Sequence, residues 1–270
     1  MKAAPFDYAR PRDVGEAVKL LAGAGEGGKP MAGSQSLGPM LNLRLVQPAL
    51  IVDLRGIEEL RATSETTDAV VFGACVTHAD IEDGRVPDPA RGLMREVASN
   101  IAYRAVRNRG TIGGSLSHAD PAADWPSALA LLGATAILEG PGGRREVPAE
   151  KFVTGVFETV LRTGEVLVGV RVPKVSRRAR TGYWKFCRKP GEFPQAIGGV
   201  LDDPERGTVR AVIGATRGPP HVLGDARALL SRPGDAALLA LADAAALADD
   251  AYDRQLHAVA LRRAIERLPA

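Results

Sequence analysis

Two short turns rich in small residues constrain this chain more than any other feature of its sequence. They are Ala32–Leu37, which reads AGSQSL, and Thr111–Ser115, which reads TIGGS, and each follows an extended-looking stretch. Glycine adopts positive φ and has no Cβ, so consecutive backbone N–H groups can turn toward one anion. Either turn alone is typical of an ordinary tight turn. The pair suits a diphosphate, which offers oxygens on both sides, and therefore favours a dinucleotide cofactor held by loops.

Length and composition allow one large domain or two modest ones. The chain has 270 residues, of which 45% are hydrophobic, and its net charge of +3 gives no case for nucleic-acid binding. No apolar run approaches the roughly 20 residues that span a bilayer. Residues 1–7 lack the apolar core of a signal peptide. We therefore expect a soluble, cytoplasmic protein without a membrane span.

The chain has two cysteines, Cys75 and Cys187. Two isolated thiols form neither a disulfide framework nor a four-thiolate cluster site, so we expect both to be small buried hydrophobic residues. The four histidines have no metal-ligand spacing. The sequence therefore predicts no metal site in this chain.

Two further motifs need an interpretation. Glycines at positions 23, 25 and 28 match the Gly-x-Gly-x-x-Gly dinucleotide fingerprint. That fingerprint needs a strand before it and a helix after it, whereas here a helical pattern comes first, so we reject the match. The basic stretch Lys174–Lys189 is either a solvated strand edge or a patch that faces an anion or a partner.

Local patterns predict alternating helices and strands as far as Pro173. Asp13 is expected to cap a helix, with Glu16 as its capping-box partner. Alternating valines from 166 to 172 predict a strand with one buried face. The other expected elements are strands at 50–54, 70–74 and 134–138, a short helix after Thr77, and helices at 37–45, 91–99 and 124–132.

The pattern changes after Pro173. Three successive strands are predicted at 182–187, 195–201 and 208–215, followed by alanine- and leucine-rich helices from residue 226 onward. We predict an α+β fold with a cofactor-binding domain at 1–175, whose subdomains are about 1–55 and 56–175. A small domain at 176–270 is expected to contain a three-stranded antiparallel sheet with helices.

The sequence around both turns resembles a known family. Lys29–Leu37 is similar to the first flavin loop of the flavoprotein subunits of molybdenum hydroxylases. Arg107–Leu116, continued by His118–Asp124, is similar to their second loop. The likeness runs from about Phe6 to Leu268. The family includes the medium subunit of aerobic carbon monoxide dehydrogenase and the FAD domain of xanthine dehydrogenase.

The resemblance implies a fold and a function. The first domain would be a two-part FAD-binding domain of the PCMH/VAO type. The chain would pass electrons from iron–sulfur clusters in a partner to an external acceptor. Its partners would be a molybdopterin-binding large subunit and a 2Fe-2S small subunit. The resemblance assigns no catalytic residue and no metal ligand to this chain.

The resemblance also implies a set of FAD-binding residues. Asp124 would contact sugar or ribitol hydroxyls, although a helix-capping role fits its position equally well. Lys185 would lie near the polar edge of the flavin ring. Ser34 stands where a second glycine is common, and Ser115 where asparagine is common. The full set is Ala32, Gly33, Ser34, Gln35, Ser36, Leu37, Ile101, Thr111, Gly113, Gly114, Ser115, Asp124, Leu167 and Lys185.

Two other side chains lie near these motifs. His118 follows the second loop, and we expect a structural hydrogen bond for it rather than a cofactor contact. Phe193 could stack near the flavin, but we expect it in the core. Two alternative functions stay open: a self-contained flavin oxidase, and a non-enzymatic nucleotide-binding assembly module on the same fold.

Overall fold

The computed structural model describes residues 2–247 and 249–269, and it begins with a small parallel sheet. The strands are β1 (Asp7–Ala9), β2 (Gly28–Met31) and β3 (Leu50–Asp53), in the order β1-β3-β2. The helices between them are α1 (Val14–Ala24) and α2 (Leu37–Asn42). Helix α2 is therefore shorter than predicted. Because α1 precedes β2, the order of elements confirms that the glycine pattern at 23–28 is not the strand-first dinucleotide fingerprint.

Asp13 caps helix α1 as predicted. Its carboxylate accepts a hydrogen bond from the amide of Glu16 at 2.8 Å. The prediction that Glu16 completes a capping box with Asp13 is wrong, because the Glu16 carboxylate accepts from the amide of Arg12 instead. The helix ends at Gly25, whose positive φ of 55° turns the chain toward β2.

An antiparallel sheet of five strands forms the second layer, in the order β4-β5-β10-β6-β7. Its strands are β4 (Thr63–Glu65), β5 (Ala69–Gly73), β6 (Thr135–Gly140), β7 (Gly143–Pro148) and β10 (Val166–Pro173). The strands β8 (Val153–Gly155) and β9 (Glu158–Thr159) form a separate pair. The helices of this part are α3 (His78–Glu82), α4 (Leu93–Ser99), α5 (Arg104–Arg107), α6 (Ile112–His118) and α7 (Asp124–Leu131).

Strand β10 is buried on both faces over most of its length, so the prediction of one buried face is wrong. Val166 and Val168 pack in the cluster that contains helix α1. Leu167, Val170 and Val172 pack in the cluster that contains helix α7. A register shift against β6 falls between residues 167 and 169. This β-bulge moves the valine series from one face to the other.

The C-terminal part holds an antiparallel sheet in the order β11-β12-β13-β14. Its strands are β11 (Arg180–Phe186), β12 (Ala196–Asp203), β13 (Thr208–Gly214) and β14 (His221–Leu223). The prediction of a three-stranded sheet is therefore wrong, because the sheet has a fourth strand, β14. The fourth strand was missed because three residues are too short to show alternation.

Two helices of 8 and 16 residues pack in one cluster with this sheet. They are α8 (Asp235–Ala242), which continues into a π-helical turn at Asp243–Leu247, and α9 (Ala251–Glu266). A Cβ on Gly182 or Gly198 would collide with the backbone of α9. Glycines on β11 and β12 therefore let the helix backbone lie directly on the sheet.

Packing crosses the predicted boundary near residue 175. One cluster lies wholly within the C-terminal part. The largest cluster, however, joins Ile197, Leu201 and Val212 to Leu129 and Leu131 of helix α7. The division into domains at 1–175 and 176–270 stays a prediction, as does the subdivision near residue 55.

The two cysteines differ in environment. Cys75 is buried as predicted, and burial raises the pKa of its thiol to about 12, so it stays protonated at neutral pH. Cys187 is only half-buried, which corrects the prediction for that residue. Within residues 2–247 and 249–269, we find no helix that is long and apolar enough to cross a membrane. The same residues contain no group of three or more metal-ligating side chains.

Candidate functional site

A cleft of about 700 Å³ lies where the three sheets meet. Its walls come from the loop after β2, the start of α6, the segment before α7, strand β10 and the β11–β12 region. All fourteen residues proposed from the sequence line it. The fold thus brings together side chains that lie far apart along the chain.

The first loop presses directly on the segment that precedes the second. A Cβ on Gly33 would lie 2.6 Å from the carbonyl carbon of Arg109 and 2.8 Å from Cα of Gly110. No real Cβ contact is that short, so only glycine fits here. The Gln35 side chain donates to the Gly33 carbonyl at 3.1 Å and braces the turn.

The backbone amides of this loop are available to a ligand. Among the residues that the structure describes, we find no acceptor for the amides of residues 34–37. The available donors end at Leu37, the first residue of α2, because the Gly38 amide donates to the Ser34 carbonyl at 3.0 Å and Pro39 has no N–H. Adjacent N–H donors at the rim of a cleft suit an anion.

Ser34 has a left-handed backbone conformation, with φ of +62°. The flavoproteins that this sequence resembles commonly have glycine at this position, and the positive φ explains why glycine is favoured there. A residue with a Cβ is strained by roughly 1–2 kcal/mol in this region, while glycine adopts it freely.

Replacing Ser34 with glycine is expected to raise the free energy of unfolding by about 1 kcal/mol, because relief of strain outweighs the added entropy of the unfolded chain. Chemical denaturation of the cofactor-free chain measures this. Ser36→Gly is the matched control, since Ser36 has a negative φ of −104° and gains nothing from glycine. If Ser34→Gly is less stable than the parent chain, the claim that the backbone is strained at Ser34 is contradicted.

The second loop is the first turn of helix α6, not an open glycine turn. Thr111 is the N-cap and its hydroxyl accepts from the Gly114 amide at 3.0 Å. The amide of Gly113 donates to the Ala74 carbonyl at 3.0 Å. The expectation of positive φ is wrong, because Gly113 and Gly114 are helical. Both amides already have partners, so in this structure the first loop presents the available donors.

Gly113 serves close packing. A Cβ at this position would lie 2.7 Å from Cα of Ala74. An isolated bridge between Thr77 and Thr111 holds the same two segments together. The start of α6 is therefore fixed against the end of the five-stranded sheet.

A buried ion pair closes another part of the cleft. The Lys185 ammonium donates to Asp124 Oδ2 at 2.7 Å and to the Asn100 carbonyl at 2.8 Å. The Tyr183 hydroxyl donates to Asp124 Oδ1 at 3.2 Å. Burial raises the pKa of Asp124, while Lys185 and the Tyr183 hydroxyl act in the opposite direction.

The helix-capping alternative for Asp124 is wrong. Ala123 is the N-cap of α7, and Asp124 is the first helical residue. Both carboxylate oxygens are engaged by Lys185 and Tyr183. A contact between Asp124 and sugar hydroxyls stays a prediction.

Ile101 and Leu167 line the cleft, and both also belong to the main core, Leu167 as a buried member and Ile101 packed against it. Core packing, which the sequence favours for both residues, is therefore confirmed, and a contact with the cofactor stays a prediction. Arg107 fixes the segment that contains Ile101. Its guanidinium donates to both carboxylate oxygens of Glu82 and to the carbonyls of Ile101 and Ala102. This bidentate arrangement positions the loop between α4 and α5.

Phe157, which sequence reasoning missed, forms an aromatic wall of the cleft with His118. The His118 ring lies 5.0 Å from the Phe157 ring, and both residues line the cleft. Within the described part of the chain, we find no hydrogen bond to the His118 ring, so the predicted structural bond is wrong. Burial lowers the pKa of His118. Phe193 is 61% exposed at the cleft and is not a core residue, which corrects that prediction.

These residues left little signal in the sequence. Phe157 has a positive φ of 58° in a turn between β8 and β9, and neither strand shows a periodic pattern. His78 also lines the cleft, as a lone histidine on helix α3. A single aromatic residue or histidine is placed at a site by contacts between distant segments, and local sequence patterns carry no information about such contacts.

Comparisons with known proteins agree with this architecture. A family model described as the FAD binding domain in molybdopterin dehydrogenase matches residues 4–175. The chain is 41% identical over 191 residues to the carbon monoxide dehydrogenase medium chain of Hydrogenophaga pseudoflava, covering 71% of this chain and 67% of that one. It is 34% identical over 234 residues to the nicotine 6-hydroxylase medium subunit of Paenarthrobacter nicotinovorans, covering 86% and 82%.

Likeness to a solved structure covers nearly the whole chain. The carbon monoxide dehydrogenase from Hydrogenophaga pseudoflava superposes with a TM-score of 0.89 at 34% sequence identity. The superposition covers 99% of this chain and 98% of that one. The similarity therefore extends beyond residue 175 to the C-terminal sheet and helices.

Proposed function

The chain belongs to the family of FAD-binding domains of molybdopterin dehydrogenases, and on that premise we propose that the cleft between its two loops holds FAD. The chain is the FAD-binding medium subunit of an oxidoreductase complex of the molybdenum hydroxylase type, and it acts in electron transfer. A self-contained oxidase and a non-enzymatic assembly module are not favoured. The fold is mixed α/β, and we propose the PCMH/VAO arrangement for residues 1–175.

We assign the diphosphate to the first loop because the amides of residues 34–37 have no acceptor within the described residues. They line the cleft beside Gly33, where a Cβ would fill the contact between the loops. A diphosphate needs several converging donors and close backbone approach, and this loop supplies both. Thr111 and Ser115 would add hydroxyls from the opposite side.

The remaining walls fit a flat ring with one polar edge. Ile101 and Leu167 offer apolar surface, and Lys185 offers a cation whose side chain is 13% exposed. We propose that Lys185 lies near the polar edge of the isoalloxazine and that Asp124 orients it. When bound, FAD supplies the redox chemistry of the subunit, while the protein supplies orientation and electrostatics.

The partners follow from the same assignment. Since the related proteins are medium subunits of multi-subunit dehydrogenases, the chain works with large and small partner subunits. We propose that the large one binds molybdopterin and that the small one holds 2Fe-2S clusters, so that electrons reach this chain from the clusters. We also propose that the complex is cytoplasmic.

Purification of the chain with its partner subunits tests the proposal. Acid release and mass spectrometry are expected to recover FAD, and addition of the large subunit's substrate is expected to bleach the flavin absorbance. A complex assembled without this chain is expected to reduce its clusters but to lose turnover with the external acceptor. Recovery of FMN alone, or a flavin that stays oxidised while the clusters are reduced, would overturn the proposal.

A further inference from the structure

We propose that His78 is a further FAD-binding residue, which donates a hydrogen bond from its Nε2–H to a diphosphate oxygen. The inference rests on the proposed function, because it requires FAD in the cleft. His78 belongs to neither glycine loop, and its position follows from contacts that join helix α3 to the second loop.

The backbone fixes His78 at the junction of the two loops. Thr77 and Asp80 form a complete capping box at the start of α3. The His78 amide donates to the Gly110 carbonyl at 2.9 Å. Gly110 in turn lies against Gly33, since a Cβ on Gly33 would come within 2.8 Å of its Cα. His78 is therefore anchored next to the loop that presents free amides.

The ring edge that carries Nε2 abuts Gly110 at the cleft. A Cβ on Gly110 would lie 2.8 Å from both Nε2 and Cδ2 of His78. The residue is only 4% exposed, and both His78 and Gly110 line the cleft. Absence of a side chain at residue 110 thus keeps this edge of the ring open.

Trp125 determines which ring nitrogen carries the proton. Its indole Nε1–H can only donate, and it lies 3.1 Å from His78 Nδ1. Nδ1 must therefore be the acceptor, which leaves the proton of the neutral ring on Nε2. Burial and the nearby Arg107 charge lower the pKa of His78 to about 4, so the ring is neutral at pH 7.

Nδ1 is engaged by Trp125, and within residues 2–247 and 249–269 we find no hydrogen bond from the Nε2–H. His78 Nε2 is not among the enclosed side-chain atoms that lack a partner, so its N–H opens to the cleft. The neighbouring loop amides are donors as well, so the imidazole and the loop favour the same kind of ligand atom, an acceptor. An anionic oxygen in the cleft would satisfy the imidazole and the loop amides together. A diphosphate oxygen is the part of FAD with this chemistry, and the first loop lies alongside.

Three matched variants separate a hydrogen bond from mere packing. His78→Phe removes the donor but keeps a ring, His78→Gln keeps an N–H near the Nε2 position, and Trp125→Phe removes the partner that fixes the tautomer. Dissociation constants for FAD and for ADP, which retains the diphosphate without the flavin, are measured on the complete chain stripped of cofactor. Unfolding by denaturant reports the stability of each variant.

We expect His78→Phe to raise the dissociation constants for FAD and for ADP about tenfold each, which is the effect of losing one hydrogen bond to a charged group. His78→Gln should recover most of this affinity, and Trp125→Phe should lose part of it. Equal affinities of His78→Phe and wild type would overturn the inference. Loss of FAD affinity with unchanged ADP affinity would also overturn it, because the acceptor would not be the diphosphate.

Nuclear magnetic resonance of ¹⁵N-histidine in the wild-type chain keeps the test independent of variant folding. We expect His78 to have a protonated Nε2 and an unprotonated Nδ1, and the Nε2–H signal to shift when ADP binds. An unshifted signal under saturating ADP would overturn the inference while leaving FAD binding intact. A wild-type chain that binds neither FAD nor ADP would instead overturn the proposed function, and His78's role with it.

Discussion

Replacing Gly33 with alanine is expected to abolish flavin retention, with FAD affinity reduced by more than about 100-fold. The added Cβ would lie 2.6 Å from the carbonyl carbon of Arg109, and closer still to its oxygen. These are backbone atoms that cannot rotate away, so the two loops must separate. Several charge-assisted hydrogen bonds to the diphosphate would then lengthen together, and each is worth roughly 1.5–3 kcal/mol.

Flavin absorbance per chain, measured after gel filtration beside far-UV circular dichroism, checks this result. Gly142→Ala is the matched control, because a Cβ at Gly142 meets nothing within 4 Å in the turn between β6 and β7. The control should keep its flavin, while Gly33→Ala should keep its secondary structure and lose its colour. Full flavin occupancy in Gly33→Ala would contradict the role of the first loop.

Local sequence patterns located two segments that meet at the cleft, because small residues are required where backbones approach each other closely. They assigned the glycines their physical roles less well. Positive φ was expected at the glycines of the second loop, yet it occurs at Ser34 in the first. Thr111 starts a helix, and the helix places Gly113 against Ala74 for packing. Close approach and positive φ both select glycine, and sequence alone does not distinguish them.

Features that depend on distant contacts were beyond local patterns. The bulge in β10 moves its valines between two cores, although their spacing in the sequence is perfectly regular. Strand β14 has three residues and exists because it pairs with β13. His78 and Phe157 reach the cleft through tertiary packing alone. Family resemblance supplied Asp124 and Lys185, while their mutual pairing came from the structure.

The pairing of these two residues changes what a substitution at Lys185 does. Lys185→Met removes the ammonium and leaves the Asp124 carboxylate, whose side chain is 5% exposed, with the Tyr183 hydroxyl as its remaining donor. Breaking a buried pair from one side costs about 3–5 kcal/mol, because the other charge stays buried. The double variant Lys185→Met with Asp124→Asn is expected to recover most of that stability, since no charge is then left uncompensated.

The loss of stability in Lys185→Met is expected to depend on pH with a defined sign. Burial already raises the pKa of Asp124 above its ordinary value of 3.8, and removal of Lys185 raises it further. The native state then holds a proton that the unfolded state releases, so stability falls as pH rises above about 4 toward the native pKa. Denaturation at pH 5 and pH 8 should therefore show a larger deficit at pH 8, and a deficit that shrinks with rising pH would contradict the buried pair.

The same variant tests the assignment of Lys185 to the polar edge of the flavin. Loss of a nearby cation disfavours the anionic reduced form, so the flavin reduction potential should fall, more so in a site shielded from water. The double variant should regain stability but keep a lowered potential, because the cation is still missing. FAD affinity should decrease less in the two Lys185 variants than in Gly33→Ala, because their first loop is intact and still holds the diphosphate. A redox titration that finds the wild-type potential in both variants, with normal flavin content, would leave Lys185 as a structural partner of Asp124 alone.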